Sequence, residues 1–144
     1  MRALKLLVLA LLLIAIVSCE KKSPLAEDNI RQKLVGTWLS EIDFEGTKTR
    51  AVTKVDQDGA FREIEKFVDS KGEAVEVSYA GEWSFDGTNF KRKYMSKDGR
   101  PLPSSKFEYA TYAVSMVGEG EFVGVDKIQQ RTVRFARADE GARP

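Results

Sequence analysis

Carboxylates and phenols, rather than imidazoles or thiols, are the groups this chain can bring to chemistry. Its 144 residues contain no histidine and one cysteine, Cys19, against 22 acidic side chains. Closely spaced acids occur at Asp43/Glu45, Asp56/Asp58, Glu63/Glu65 and Glu119/Glu121. Paired carboxylates can drive glycoside hydrolysis without histidine. At this density of acids such pairs are unavoidable, and Asp56/Asp58 and Glu119/Glu121 flank turns, where solvated carboxylates belong. Asp56 and Asp58 raise calcium as a ligand, yet Gly59 is followed by Ala60-Phe61-Arg62 and the twelve-residue EF-hand ligand series is absent. Without histidine, and with no thiol beyond Cys19, the body excludes His-dependent triads, cysteine nucleophiles and the usual zinc or haem ligation. The chain is expected to be non-enzymatic and to need no metal and no cofactor.

Binding chemistry is better represented. Arg92 shares a period-two face with Phe90 and Tyr94. An arginine turned inward requires a partner, and a ligand carboxylate or phosphate could supply a bidentate one. Glu63 and Glu65, which share a parity with Phe61 and Phe67, could do the same. Ile64 and Val68 occupy the other face of that segment, so the side to which the two glutamates point stays open. Tyr94 and Tyr109 offer phenolic donors beside large apolar surface. Arg92, Tyr94 and Tyr109 are therefore the candidate ligand-binding residues.

The elements that must position them read as short strands. Candidates are Val35–Ile42, Lys48–Asp56, Ala60–Val68, Ala74–Phe85, Asn89–Met95, Lys106–Val117, Glu121–Asp126 and Gln130–Ala138. Separators such as Glu45-Gly46, Asp58-Gly59, Asp86-Gly87 and Lys97-Asp98-Gly99 carry glycine, which accepts the positive φ of tight hairpin turns. Val75, Val77, Tyr79, Gly81, Trp83 and Phe85 alternate with Glu76, Ser78, Glu82 and Ser84, which predicts one buried and one wet face. The same rule predicts an inward face of Phe107, Tyr109, Thr111, Ala113, Ser115 and Val117, continued by Val133 and Phe135 near the end. A helical turn is expected over Asn29–Val35, with Asp28 or Asn29 as its cap. No long crossover helix is present in the pattern, so a βαβ sheet is excluded in favour of an all-β, antiparallel domain. About eight hairpin-linked strands can close into an up-and-down barrel, and a β-sandwich obeys the same local rules.

Lys33-Leu34-Val35-Gly36-Thr37-Trp38 favours the barrel. Gly36-Thr37-Trp38 resembles the G-x-W signature at the first strand of lipocalin-like domains, and Gly81–Phe90 resembles a central hairpin of small bacterial members. The resemblance covers about Ile30–Ala138 and implies an eight-stranded antiparallel barrel preceded by a short helical turn. It also implies structural roles for Gly36, Trp38 and Arg137, with the tryptophan plugging one barrel end beneath an arginine from the last strand. Such an interior is either a cavity for a small apolar or amphipathic ligand or a solid core. In the second case the domain is a packed structural or protein-interaction module of the envelope.

Arg2 and Lys5 open the chain, Leu6–Val17 is almost unbroken apolar sequence, and Ser18-Cys19 closes it before Glu20-Lys21-Lys22. The run is short for a spanning helix and has the form of an export signal. Ile16-Val17-Ser18-Cys19 resembles the lipobox of bacterial lipoprotein precursors, which implies lipidation of Cys19 and cleavage before it. The expected organisation is a signal peptide over 1–18, a lipidated terminus and tether over 19–28, a lipocalin-like barrel over 29–138 and a tail over 139–144. Loss of Arg2 and Lys5 moves the formal net charge from +1 to −1, which gives no affinity for nucleic acid. The expected partners are a membrane through the N-terminal lipid, a small ligand, or an envelope protein. Glu20 after the cysteine is compatible with passage to the outer membrane, facing the periplasm.

Intact-mass analysis of the protein from its native membrane should find a chain beginning at Cys19 with a diacylglyceryl-plus-acyl addition. Cys19→Ser should abolish the addition and leave the barrel folded; a soluble mature chain beginning elsewhere would refute the assignment.

Overall fold

The computed structural model describes residues 24–144. The expected signal peptide, Cys19 and the first part of the tether lie outside the described residues. A helix, α1 (Pro24–Leu34), leads into β1 (Gly36–Phe44), β2 (Thr47–Val55), β3 (Ala60–Val68), β4 (Ala74–Phe85) and β5 (Asn89–Lys97). A two-residue strand β6 (Arg100–Pro101) and a short 3-10 turn precede β7 (Glu108–Met116), β8 (Glu121–Asp126) and β9 (Thr132–Arg137). No helix among the described residues is long and apolar enough to cross a membrane.

Every pairing is antiparallel, and the eight long strands follow one another around a closed barrel, with β6 appended to β5. Closure rests on two contacts that an open sandwich lacks. β1 meets β9 through Trp38↔Arg137, Leu39↔Ala136 and Ser40↔Phe135, and β4 pairs with β5 from Tyr79 to Phe85. The register shifts between Ala80 and Gly81. A Cβ on Gly81 would lie 1.8 Å from the Lys93 carbonyl oxygen, so only glycine lets the two backbones approach at this bend.

The helix is longer than the turn expected over Asn29–Val35 and takes in most of what composition suggests is tether. Pro24 opens it, where a missing N–H costs nothing, and Glu27 and the pair Arg31 and Lys33 lie at the dipole ends that suit their charges. The helix closes one barrel end. Leu34 is fully buried, and Arg31 stacks over the Trp83 ring with its guanidinium carbon 4.7 Å from the centroid.

Behind the helix that half of the barrel is solid. Trp38, Phe61, Phe90, Phe122 and Phe135 are each at most 2% exposed. Phe122 stacks on Phe135 at 4.4 Å and receives Trp38 edge-on at 4.7 Å. Such ring pairs add about 0.5–1.5 kcal/mol each beyond burial. Trp38 Nε1 donates to the Leu34 carbonyl at 2.7 Å, and the Arg137 guanidinium carbon lies 3.9 Å over its ring. Arg137 also donates to the Lys33 and Val35 carbonyls at 2.9 and 2.7 Å, tying the helix end to the last strand. Gly36 has φ +132° and a Cβ there would meet Arg137 Nη1 at 2.0 Å. The glycine of the G-x-W triplet is thus the space in which the arginine lies.

Tyr109 and Phe107 face the opposite way from the sequence expectation. β7 presents Ala110, Tyr112, Val114 and Met116 to the core, while Tyr109 pairs across from outward Lys93 and is 60% exposed. Phe107 lies beneath the same Lys93 ammonium, 4.9 Å away. Both faces of this segment are apolar enough to be core, and Glu108 on the true inward face makes the wrong one look better. Glu108 is accommodated because it lies at the barrel mouth, where water reaches it.

Trp38→Ala should destabilise the fold by about 3–5 kcal/mol in denaturant titrations. A cost near zero would mean that the closed end does not depend on its plug.

Candidate functional site

The third strand resolves what its pattern leaves open. Phe61, Glu63 and Glu65 all point inward, and Glu63 is only 2% exposed. Arg92, at 4% exposure, reaches it from β5 across the barrel interior. The guanidinium Nη1 donates to Glu63 Oε2, and Thr53 Oγ1 donates to the same oxygen. Tyr94 Oη donates to the other carboxylate oxygen at 3.0 Å, and Arg92 Nη2 donates to Tyr112 Oη at 3.3 Å. Four rings, of Phe61, Phe90, Tyr94 and Tyr112, surround the guanidinium carbon at 5.4–5.7 Å. Burial alone would lower the Arg92 pKa, but the adjoining Glu63 charge reverses this and holds the cation firmly protonated.

Of the two partners the sequence leaves open for Arg92, a ligand anion or an internal glutamate, the structure shows Glu63, and Arg92 does not line the cup described below. The third candidate, Tyr109, turns its strand position outward and reaches the open space only at the rim. Tyr94 does face the interior space, and Arg92 and Tyr94 are brought together around Glu63.

Above this polar layer the barrel is open. A cup of about 520 Å³ occupies the end opposite α1. Its floor is made by Tyr94, Tyr112, Ala110 and Val133, and its sides by Ile42, Thr49, Phe67 and Tyr79. Phe44, Ile128 and Arg131 stand at the mouth, where the Arg131 guanidinium carbon lies 4.6 Å over the Phe44 ring. Gly124 makes room for the floor: a Cβ there would press on Tyr112 Cβ at 2.9 Å.

Glu65 lines the cup one inward step above Glu63. Burial, then repulsion from the Glu63 charge, raises its pKa from 4.5 to about 7. Tyr79, which pairs across from Glu63, is pushed up to about 12 by burial and then by the Glu65 charge. Burial also raises Tyr94 and Tyr112, so all three phenols remain donors at neutral pH. Tyr79 and Tyr94 meet edge to face at 5.4 Å. The arrangement brings apolar side chains, phenolic donors and a carboxyl of raised pKa to one open space.

Thr53 and Tyr112 are the residues that sequence reasoning misses. Thr53 sits in an unremarkable Thr-Lys alternation, and only its cross-strand position against Glu63 gives it meaning. Tyr112 is hidden by the ambiguous parity of β7. No family model matches the sequence, and no curated protein matches it.

Arg92→Met should destabilise the domain by about 3–5 kcal/mol, because it strands the Glu63 carboxylate in the core. The double substitution Arg92→Met with Glu63→Gln should recover a substantial part of that loss in denaturant titrations. Additive costs in the double-mutant cycle would show that the two side chains are not coupled.

Proposed function

We propose that this protein is a lipid-anchored, non-enzymatic binding protein of the bacterial cell envelope that holds a small amphipathic molecule in the open half of its barrel. The observation that carries the reading is the 520 Å³ cup set into a barrel whose other half is packed solid. Small-molecule sites have volumes of about 300–1,000 Å³ and combine apolar walls with a few placed polar groups. Ile42, Phe67 and Val133 supply apolar surface and Tyr79, Tyr94 and Tyr112 supply phenols, in a lining that also carries Glu65 and a polar rim. The lipobox resemblance at Ile16–Cys19 supports the anchor, and the G-x-W resemblance supports a ligand-binding barrel. Glu20 after the lipidated cysteine supports an outer-membrane location facing the periplasm.

A protein partner is the rival reading, favoured by the exposure of Ile128 at 73% and Phe44 at 51% beside the mouth. Native mass spectrometry of protein extracted from its own envelope separates the two. Wild-type protein should carry a small non-covalent adduct. Ala110→Trp, which fills the floor of the cup, should lose it while the fold persists. A wild-type protein that never carries a small adduct but co-purifies with one stoichiometric protein would favour the rival.

A further inference from the structure

The charges around the cup are unequal. Four acids, Glu45, Glu65, Glu108 and Asp126, border it against one cation, Arg131. Not all are available to a ligand: Asp126 accepts the Ile128 and Gln129 amides at 2.7 and 3.0 Å, and Arg131 is stacked on Phe44. Glu65 is different. It lines the cup beside Tyr79 and Tyr94, whose rings meet edge to face, with Glu108 paired across from Tyr94 on the neighbouring strand. Arg92, the cation below it, is committed to Glu63 and the surrounding phenols. An anionic headgroup entering this space meets a surplus of carboxylates, with Arg131 at the mouth as the one cation among the described lining residues. A protonated amine meets a carboxylate beside two tyrosine rings, and ring faces attract cations. The Lys97 ammonium already lies 5.7 Å from the Tyr79 ring.

We propose that the cup selects amphipathic amines, with the ammonium at Glu65 beside Tyr79 and Tyr94 and the apolar part against Ile42, Phe67 and Val133. This rests on the cup being a ligand site. Because Glu65 loses its proton near neutrality, uptake is coupled to proton release. The groups facing Glu65 fix the sign. Glu63 and Glu108 favour its protonated form, Arg92 opposes them, Tyr79 and Tyr94 are neutral phenols, and its β2 neighbour Ala51 is uncharged. A bound ammonium favours the carboxylate, so amine affinity rises with pH as Glu65 ionises and falls in acid.

Hexylamine, hexanol and hexanoate, matched in chain length, test this by calorimetry on the full chain in lipid nanodiscs, with empty nanodiscs as the blank. Hexylamine should bind about tenfold more tightly at about pH 8.5 than at about pH 5.5, a change set by ionisation of Glu65. Near neutral pH its binding heat should vary with the buffer's ionisation enthalpy, reporting proton release. Glu65→Gln, which is isosteric, should lose the amine preference, the pH dependence and the proton release, and leave hexanol binding unchanged. Preference for hexanoate or hexanol, or an unchanged hexylamine affinity in Glu65→Gln, would overturn the amine assignment and leave the cup a ligand site. Failure of all three probes to bind would overturn both.

Discussion

A guanidinium held in the middle of a barrel sets the terms for the rest of this structure. Arg92 lies away from water with Glu63 as its counter-charge, and neither could be buried alone without an effective penalty of several kcal/mol. The consequences spread through four strands. Thr53 on β2 and Tyr94 on β5 donate to the carboxylate, and Tyr112 on β7 accepts from the guanidinium. A strand slipped by one residue would turn its member of this group to the outside and leave the others unsatisfied. The polar layer thus acts as a register lock. It also divides the interior, with aromatic packing on one side and open space on the other.

The closed end follows a different logic, built on the absence of a side chain. Gly36 leaves a hollow that the Arg137 guanidinium fills, and from there Arg137 reaches the Trp38 ring and two carbonyls at the end of α1. One arginine therefore joins helix, first strand and last strand. Burial lowers its pKa without threatening its charge, since arginine stays protonated far above neutrality.

The sequence makes the closed end legible and the open end much less so. Trp38, Gly36 and Arg137 are identifiable because a short signature fixes their relative positions, and the strand breaks follow from glycine-bearing turns. Phe90, Arg92 and Tyr94 are assigned inward correctly because charged Lys91 and Lys93 occupy the alternate positions. β7 fails for the reverse reason: both of its faces are apolar, and Glu108 lies inward at a mouth that sequence cannot distinguish from a core. The choice between Glu63 and Glu65 as the Arg92 partner depends on depth along the barrel axis. Period-two patterning carries no information about depth. The helix runs longer than its apolar spacing suggests, with Pro24 at its start and Glu27 and Arg31/Lys33 at the ends that suit their charges.

The position of α1 has a consequence for how the barrel sits relative to a membrane. Glu27 packs against the β4–β5 turn at Gly87, so the chain enters the domain beside its closed end. Four residues, Glu20–Ser23, separate Cys19 from the helix. Fully extended, the chain from Cys19 to Pro24 spans roughly 17 Å. The tilted nine-residue strands give the barrel a height of roughly 20–25 Å, more than that leash can cover. If Cys19 carries the proposed lipid, a leash of that reach favours an orientation with the closed end toward the leaflet and the mouth away from it. On the proposed function, a ligand would then reach the mouth from the aqueous side rather than from the leaflet that carries the anchor.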